Sequence, residues 1–371
     1  MKIRNLFLNR LKRKLIWTFR IDRLKYIEDY NILDTAEVIK LSQEEIKELN
    51  KINIAIIKDT DDTPYYTKFE RILKNNNIEY SYFNIHKSNW LDEAKKYDII
   101  LWRPLSLPWE LDEAREKIYI LENYMKKLVY PSYSEICFYE NKAYQYDLLK
   151  LKELPVIDTF ISYDYDEITE YVKQEKNFPF VSKIKVGSGS QGVELIKKVN
   201  LAKKKCRQVF TKGAKTYWPF LRQKNYVYFQ KFIKNYNFDL RIVVVDEENI
   251  FGYYRETTKN DFRASGYGNV VKKELPKEAV KIAIELKNKL NLNSIAVDFL
   301  KAVSDEKYYI IECSNYIKID TDKQLELNGV AGKYEYDKEN EKLIFNEGRY
   351  WIQELIIRNI LRKYLRENKE K

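Results

Sequence analysis

The 371-residue sequence predicts an α/β protein with a small leading domain and a larger second part. Three observations carry this prediction. Strand-like and helix-like segments alternate between residues 51 and 104, as they do where parallel strands are joined by helices. A turn at Gly187-Ser188-Gly189-Ser190-Gln191-Gly192 packs three of the chain's ten glycines into six positions. Two apolar strands, "SIAVDFL" and "YYIIECSNY", are each interrupted by a carboxylate, Asp298 and Glu312.

Composition narrows the function classes. Hydrophobic content of 44% with 33% charge describes a soluble globular chain able to bury a core. No apolar run approaches the ~20 residues that span a bilayer, and charges interrupt the basic N-terminus, so no signal-peptide core is expected. Cys137, Cys206 and Cys313 are odd in number and widely spaced, the usage of reduced thiols in the cytoplasm. His86 is the single histidine. A multi-histidine metal site is therefore excluded, and His86 itself reads as structural. The net charge is +11, but residues 1–25 hold nine basic and one acidic side chain, and residues 358–371 hold six basic and two acidic. The rest is near neutral. Nucleic-acid-binding domains carry a basic patch on the body, so nucleic acid is not expected as a partner.

Along the chain, residues 1 to about 48 read as helical, with Leu8, Leu11, Leu15 and Phe19 at helical spacing among cations. Such a segment can lie on an anionic membrane, giving peripheral contact through residues 1–25 at the inner face. Alternatively, its apolar face packs on the protein's own core. "KINIAIIKD" then predicts a buried strand, "YYTKFERILKNNN" a helix, "IEYSYFNI" a strand, "NWLDEAKKY" a helix and "DIILWRP" a strand. An amphipathic helix follows over "LDEAREKIYILENYMKKL", and the chain ends in another, basic one.

The glycine-rich turn fits G-x-G-x-x-G, but a dinucleotide fingerprint needs a helix directly afterwards. "GVELIKKV" alternates as a strand does, so the turn joins two strands as a hairpin. No Gly-Lys-Ser/Thr follows, and the H-R-D and D-F-G elements of kinases are missing. Lys183 lies four residues before the first glycine, where an ammonium can meet phosphate oxygens beneath the loop's N–H groups. A hairpin that merely turns tightly remains the alternative. Downstream, "YVYFQKFIKNYNFDLRIVVVDEENIFGYYRETTKNDFRASGYGN" predicts a strand, an extended hinge and a strand hairpin ending in an Arg-rich segment. A carboxylate inside an apolar strand is costly without a partner. Two such strands after a phosphate-covering loop suggest a Mg²⁺ clamp on a nucleotide's phosphates.

Residues from about 51 to 315 resemble the ATP-grasp superfamily, nearest in motif to its ribosomal-protein glutamate-ligase-like branch. The resemblance rests on the order "ENKAYQYDLLK", "VSKIKVGSGSQGV", "FQKFI", "DLRIVVV", "DFRAS", "AVDFL" and "IIEC". It implies the α+β ATP-grasp fold in four parts: a basic helical extension (1–50), a pre-ATP-grasp α/β domain (51–137), a small lid subdomain with the glycine-rich flap (138–230), and a large subdomain ending in the basic helix (231–371). By the resemblance, Lys142 and Lys183 are the nucleotide lysines, and Gly187, Ser188, Gly189 and Gly192 belong to the flap. The backbone of Gln230, Lys231 and Phe232 meets adenine, and Asp239 lies near the ribose or pairs with Arg241. Arg241, Arg255 and Arg263 line the phosphate and substrate side; Asp298 and Glu312, with Asn315, are metal ligands. Two departures stand out. Lys231 replaces the family's hinge Glu, and Ser314 takes the place of the Asn in the family's E-x-N pattern. Asn315 can ligate only where the strand has ended or bulged, because one residue reverses the face.

The implied cofactors are ATP and Mg²⁺. The implied reaction is ligation of a carboxylate to an amine through an acyl phosphate, with ADP and phosphate released. The partners are a small-molecule, glycan or peptide carboxylate and an amine, with cell-surface polysaccharide or peptide modification as the favoured setting. Another ATP-grasp reaction, such as phosphoryl transfer or ester formation, and nucleotide binding without catalysis are the alternatives. Asp298→Asn and Glu312→Gln remove charge but little volume, so both are expected to spare the fold.

Overall fold

The computed structural model describes residues 36–61, 64–175, 177–187, 192–216, 218, 220–257, 269–317 and 326–369. The chain divides into two units, one running up to Ile136 and including Trp351–Lys371, the other Cys137–Tyr350.

The first unit is built on four parallel strands, β1 (Ile54–Ile56), β2 (Ser81–Tyr82), β3 (Ile99–Leu101) and β4 (Leu128–Tyr130), in the order β2-β1-β3-β4. Strands covered on both faces need apolar residues at consecutive positions. All three residues of β1 and of β3 are buried. β2 is an edge strand with both residues exposed, and it is far shorter than the strand predicted over residues 78–85. Helices α1 (Gln43–Leu49), α2 (Tyr66–Asn75), α3 (Trp90–Ala94) and α4 (Pro108–Asn123) complete the sequence order, and α4 buries Leu111, Ala114, Ile118 and Leu121 at helical spacing.

The ends differ from expectation. α1 starts at a capping box in which Ser42 Oγ accepts the Glu45 N–H and Glu45 Oε2 accepts the Ser42 N–H. Residues 36–42 are therefore not helical. Their backbone is held by the Asn76 side chain, which accepts from the Leu41 N–H and donates to Ile39 O. The basic amphipathic segment 1–25 lies outside the described residues. The C-terminal helix (Ile352–Lys369) groups with the first unit, not with the 231–371 stretch to which the sequence assigned it. It packs on α2, buries Ile352, Leu355, Ile356 and Ile360, and its Glu354 receives Arg71 Nη1 at 2.8 and 2.9 Å. Among the described residues no helix is long and apolar enough to cross a membrane.

Among its described residues the second unit holds two main antiparallel sheets. The smaller, which we call the lid, has the order β5-β10-β6-β7: β5 (Thr159–Ser162), β10 (Val227–Lys231), β6 (Phe180–Ser182) and β7 (Glu194–Ile196). Its core joins Phe180, Ile196, Val227 and Phe229 of the sheet to Ile168 and Val172 of α6 (Tyr165–Gln174) and to Ala202, Cys206 and Val209 of α7 (Val199–Phe210). A two-stranded hairpin, β8 (Ala214–Lys215) and β9 (Arg222–Gln223), follows α7.

The larger sheet runs β15-β14-β11-β12-β17-β16, with β13 on β12 and β18 on β17. Its members are β11 (Phe238–Asp246), β12 (Asn249–Glu256), β13 (Asn269–Val271), β14 (Ile295–Lys301), β15 (Tyr308–Ser314), β16 (Glu326–Leu327), β17 (Val330–Asp337) and β18 (Lys342–Glu347). Helix α8 (Lys277–Lys289) packs on β11 and β14, and α5 (Lys142–Leu151) lies against the edge strand β15.

Candidate active site

Strand alternation builds the site. On β11, Asp239 and Arg241 share one face while Leu240 and Ile242 take the other, as the period of two requires. Register then sets Glu312 of β15 opposite Asp298 of β14, Asp298 opposite Arg241 of β11, and Asp239 opposite Arg255 of β12. Charged groups of both signs thus form a row across four strands. Arg241 grips Asp298 through Nε to Oδ1 and Nη2 to Oδ2, both at 2.7 Å, and Arg255 Nη2 adds a contact to Oδ2 at 2.8 Å. Arg255 Nε also donates to Asp239 Oδ1 at 2.6 Å, so the partner of Asp239 is Arg255 and not Arg241. Burial alone would raise the Asp298 carboxyl, yet the two guanidinium groups hold it well below the usual carboxylate range. Asp239 is pushed up to about 6 by burial, against the pull of Arg255.

Two lysines close on Glu312 from the lid side. Lys142, at the start of α5, donates to Gly187 O at 2.6 Å and pairs with Glu312 Oε1 at 3.0 Å. Burial disfavours its charge, but Glu312 and Glu140 outweigh that and raise its pKa. Lys183 Nζ donates to Ile311 O at 3.1 Å, and burial pushes it down to about 8. β6 and β7 pair on either side of the flap, which makes the glycine segment the connection of an antiparallel hairpin. Gly192 has φ +72°, and a Cβ there would sit 2.5 Å from Ile184 Cδ1, so turn and close approach both demand glycine. Ser188, Gly189 and Arg263 lie outside the described residues.

Residues that the sequence reading did not single out complete the frame. Glu140 Oε2 accepts the Gly187 N–H at 2.9 Å, fixing the base of the flap. Gln145, one helical turn after Lys142, clamps Cys313 by donating to its carbonyl at 3.0 Å and accepting its N–H at 3.3 Å. As β15 is an edge strand among the described residues, these groups meet no neighbouring strand there, and the carboxamide stands in for one. A narrow cleft is lined by Lys142, Gln145, Tyr146, Tyr228, Gln230 and Glu312, among others.

The hinge residues separate. Gln230 is buried and lines this cleft, whereas Lys231 is exposed, lines a different cleft with Phe160 and Phe180, and donates its N–H to Asp158 O at 2.9 Å. Neither the Lys231 side chain nor its N–H is therefore directed at a ligand beside Gln230. Phe232 is half-buried just past β10. Ser314 shares the face of Glu312 but donates its hydroxyl to Tyr316 O at 2.9 Å. Asn315 is buried and lies one residue past the end of β15, the condition under which it is freed from strand alternation.

The donor set suits Mg²⁺. Among the described residues no three His, Cys, Asp or Glu side chains gather into a metal-ligating group. Mg²⁺ typically takes one or two protein carboxylates and completes its shell with water and phosphate oxygens. Asp298 accepts three contacts and so retains one of about four lone-pair positions. The ion pair of Glu312 engages Oε1 and leaves Oε2.

Comparisons with known proteins identify the family and the fold. The RimK-like ATP-grasp domain family matches residues 139–333. The tetrahydromethanopterin:alpha-L-glutamate ligase of Methanocaldococcus jannaschii is 30% identical over 210 residues, covering 55% of this chain and 66% of that protein, just under two thirds of its length. The structure of D-alanine–D-alanine ligase from Bacillus anthracis superposes with a TM-score of 0.54 at 15% identity, covering 86% of this chain and 99% of the other. The ATP-grasp ligase PsnB, solved with a minimal precursor, gives 0.51 at 15% identity over 75% of this chain and 96% of its own. At such identities the two structures show likeness of fold.

Proposed function

Since this chain belongs to the RimK-like ATP-grasp family, we propose that it is an ATP-dependent ligase joining a carboxylate to an amine, with ADP and phosphate as products. The observation that supports this most is the row Glu312–Asp298–Arg241, flanked by Arg255 and faced by Lys142 and Lys183. It offers two carboxylates for a metal and four cations for phosphate oxygens on neighbouring strands and the helix beside them. Gln230 and Tyr228 would border the base of the nucleotide, and Lys142 and Lys183 its phosphates. Mg²⁺ held by Asp298 and Glu312, with Asn315 as a further candidate ligand, would neutralise charge between the phosphates. Arg241 and Arg255 are pre-oriented by their carboxylate partners and need little reorganisation to stabilise a transferring phosphoryl group.

In the proposed sequence the substrate carboxylate attacks the γ-phosphorus, ADP leaves, and an acyl phosphate forms. The amine then attacks the acyl carbon and phosphate departs. No protein nucleophile is needed, in keeping with a single histidine and cysteines at Cys206 and Cys313 that burial raises above the ordinary thiol range. The relative from Methanocaldococcus jannaschii is named as a glutamate ligase, which supports an amino-acid amine. For the carboxylate we retain a glycan or a peptide. The test is nucleotide analysis with candidate substrate pairs: ADP and phosphate are expected, and Lys183→Ala should remove most of the Tm rise that Mg-ATP gives the wild type. AMP with pyrophosphate would overturn the acyl-phosphate route.

A further inference from the structure

The outer surface of the lid carries cations that neither the fold nor the cleft uses. Between residues 197 and 225 the sequence holds ten Lys and Arg and no Asp or Glu. With 56 acidic residues in 371, a stretch of that length would carry about four at the chain's average rate. Lys205 is the buried member, and it is paired with Glu194 at 2.9 Å. By contrast, Lys203, Lys204 and Arg207 on α7, with Lys215, Arg222 and Lys224 on the β8–β9 hairpin, are exposed and make no ion pair among the described residues. Helix α6 packs on α7, and its Glu170 pairs with Lys173 of the same helix rather than with a cation of α7.

The hairpin concentrates the charge at a cost. Lys215 and Arg222 are direct cross-strand partners, and like charges in that position destabilise a ladder. Gly213, at φ +78°, lets the side chains crowd further: a Cβ there would lie 2.9 Å from Arg222 Cβ and 2.8 Å from Lys224 Cγ. Between the two strands Phe220 is 57% exposed, its ring stacked near Trp218 at 27°. Gln223, between Arg222 and Lys224, accepts the Lys185 N–H at 2.7 Å and donates to Val186 O at 3.2 Å. The basic hairpin is thus tied to the chain immediately before the flap.

We propose that this surface docks an acidic polysaccharide, a glycan whose sugars carry carboxylates, and holds it beside the flap. Cations spread along a helix and a hairpin complement a chain of regularly spaced anions. The exposed Phe220 ring offers an apolar face to the C–H face of a sugar. Insertion into a membrane is disfavoured, since Leu201 and Phe220 are the large apolar residues exposed in this stretch among the described residues, and an inserting surface needs a continuous apolar face. The delivery of a carboxylate polymer to this place rests on the ligase reading; the binding itself does not.

The experiment measures binding of fluorescently labelled polygalacturonate oligomers to the full-length protein, without ATP. Saturable binding that weakens with salt is expected. Lys215→Glu combined with Arg222→Glu should weaken it by about tenfold or more, while Lys95→Glu combined with Lys96→Glu, just past the end of α3, should not. Equal binding by wild type and the hairpin variant overturns the proposal. So does stronger binding of polyglutamate, duplex DNA or phosphatidylglycerol vesicles than of polygalacturonate at matched charge. Should the hairpin variant not fold, Lys203→Gln with Lys204→Gln on α7 gives the same reading, with about threefold weakening expected and none overturning it. The Mg-ATP rise in Tm, measured in parallel, separates the two ideas: a wild type that shows the nucleotide response but no saturable polygalacturonate binding sinks the docking surface alone.

Discussion

The second unit handles its cations in two opposite ways. Around the candidate active-site cleft, Lys142, Lys183, Arg241 and Arg255 each lie within 3.1 Å of an oxygen of their own chain. On the lid's outer surface, Lys203, Lys204, Arg207, Lys215, Arg222 and Lys224 are exposed and make no ion pair among the described residues. The contrast follows from solvation. A charge taken out of water must meet a counter-charge or lose its proton, so pairing in the cleft is a condition of folding. Water supports the exposed cations without partners, so their clustering is not explained by stability. Removing charge should therefore cost stability in the cleft and cost none, or even add some, on the lid.

The largest effect is expected at Asp298. The sequence reading treated Asp298→Asn and Glu312→Gln alike, as changes that spare the fold. The structure distinguishes them, because Asp298 is buried between two guanidinium groups whereas Glu312 is partly exposed and answers to one ammonium. Leaving buried charges unpaired typically costs about 3–5 kcal/mol. Asp298→Asn should lose stability on that scale in chemical denaturation, and Glu312→Gln much less, while both lose turnover. The pH dependence has a definite sign. The folded pKa of Asp298 is depressed, so its contribution is present above the unfolded value of about 3.9 and is lost as pH falls below it. The stability gap between wild type and Asp298→Asn should narrow below about pH 4. A gap that stays constant to pH 2.5, or equal losses in the two variants, would break the comparison.

A smaller effect is expected at Gln145, whose carboxamide satisfies both backbone groups of Cys313 on the open edge of β15. Gln145→Leu is close in size but leaves those groups without a partner, a loss of about 1–3 kcal/mol. The amide of Cys313 should also exchange with deuterium faster in the variant. Unchanged exchange would show that the clamp is incidental. Since Glu312 precedes Cys313, the variant should additionally need more Mg²⁺ for the same Tm rise by Mg-ATP.

Sequence and structure meet most closely where chemistry forces an unusual pattern. A carboxylate in the middle of "AVDFL" is conspicuous because an apolar strand cannot bury it for nothing, and Asp298 and Glu312 do lie opposite one another. The flap hairpin was legible because "GVELIKKV" alternates, and β7 pairs with β6 there. Gln145 was not legible, since a glutamine on an amphipathic helix looks like any solvent-facing residue until the edge strand beside it is known. The partner of Asp239 depended on register, which a list of nearby arginines does not contain. The C-terminal helix was misassigned because its docking surface, α2 with Arg71, lies some 280 positions earlier in the chain (283 between Arg71 and Glu354). The lid's basic stretch was in plain view, yet averaging charge over the whole body cancelled it against acids elsewhere.

The smallest effect, and the one of opposite sign, is expected on the hairpin. Lys215 faces Arg222 across a two-stranded ladder with no acid nearby in sequence to screen it. Replacing one of a like-charged pair removes repulsion, and threonine suits a strand position, so Lys215→Thr should gain about 0.2–1 kcal/mol. The gain should shrink in high salt, because the repulsion it relieves is between exposed charges and is screened there. The same substitution should weaken polygalacturonate binding. A variant that is more stable and binds more weakly would show a charge retained against the interest of the fold. If Lys215→Thr is instead destabilising at every salt concentration, the lysine stem is packing on the hairpin, and the lid's cations belong with those of the cleft as parts of the structure.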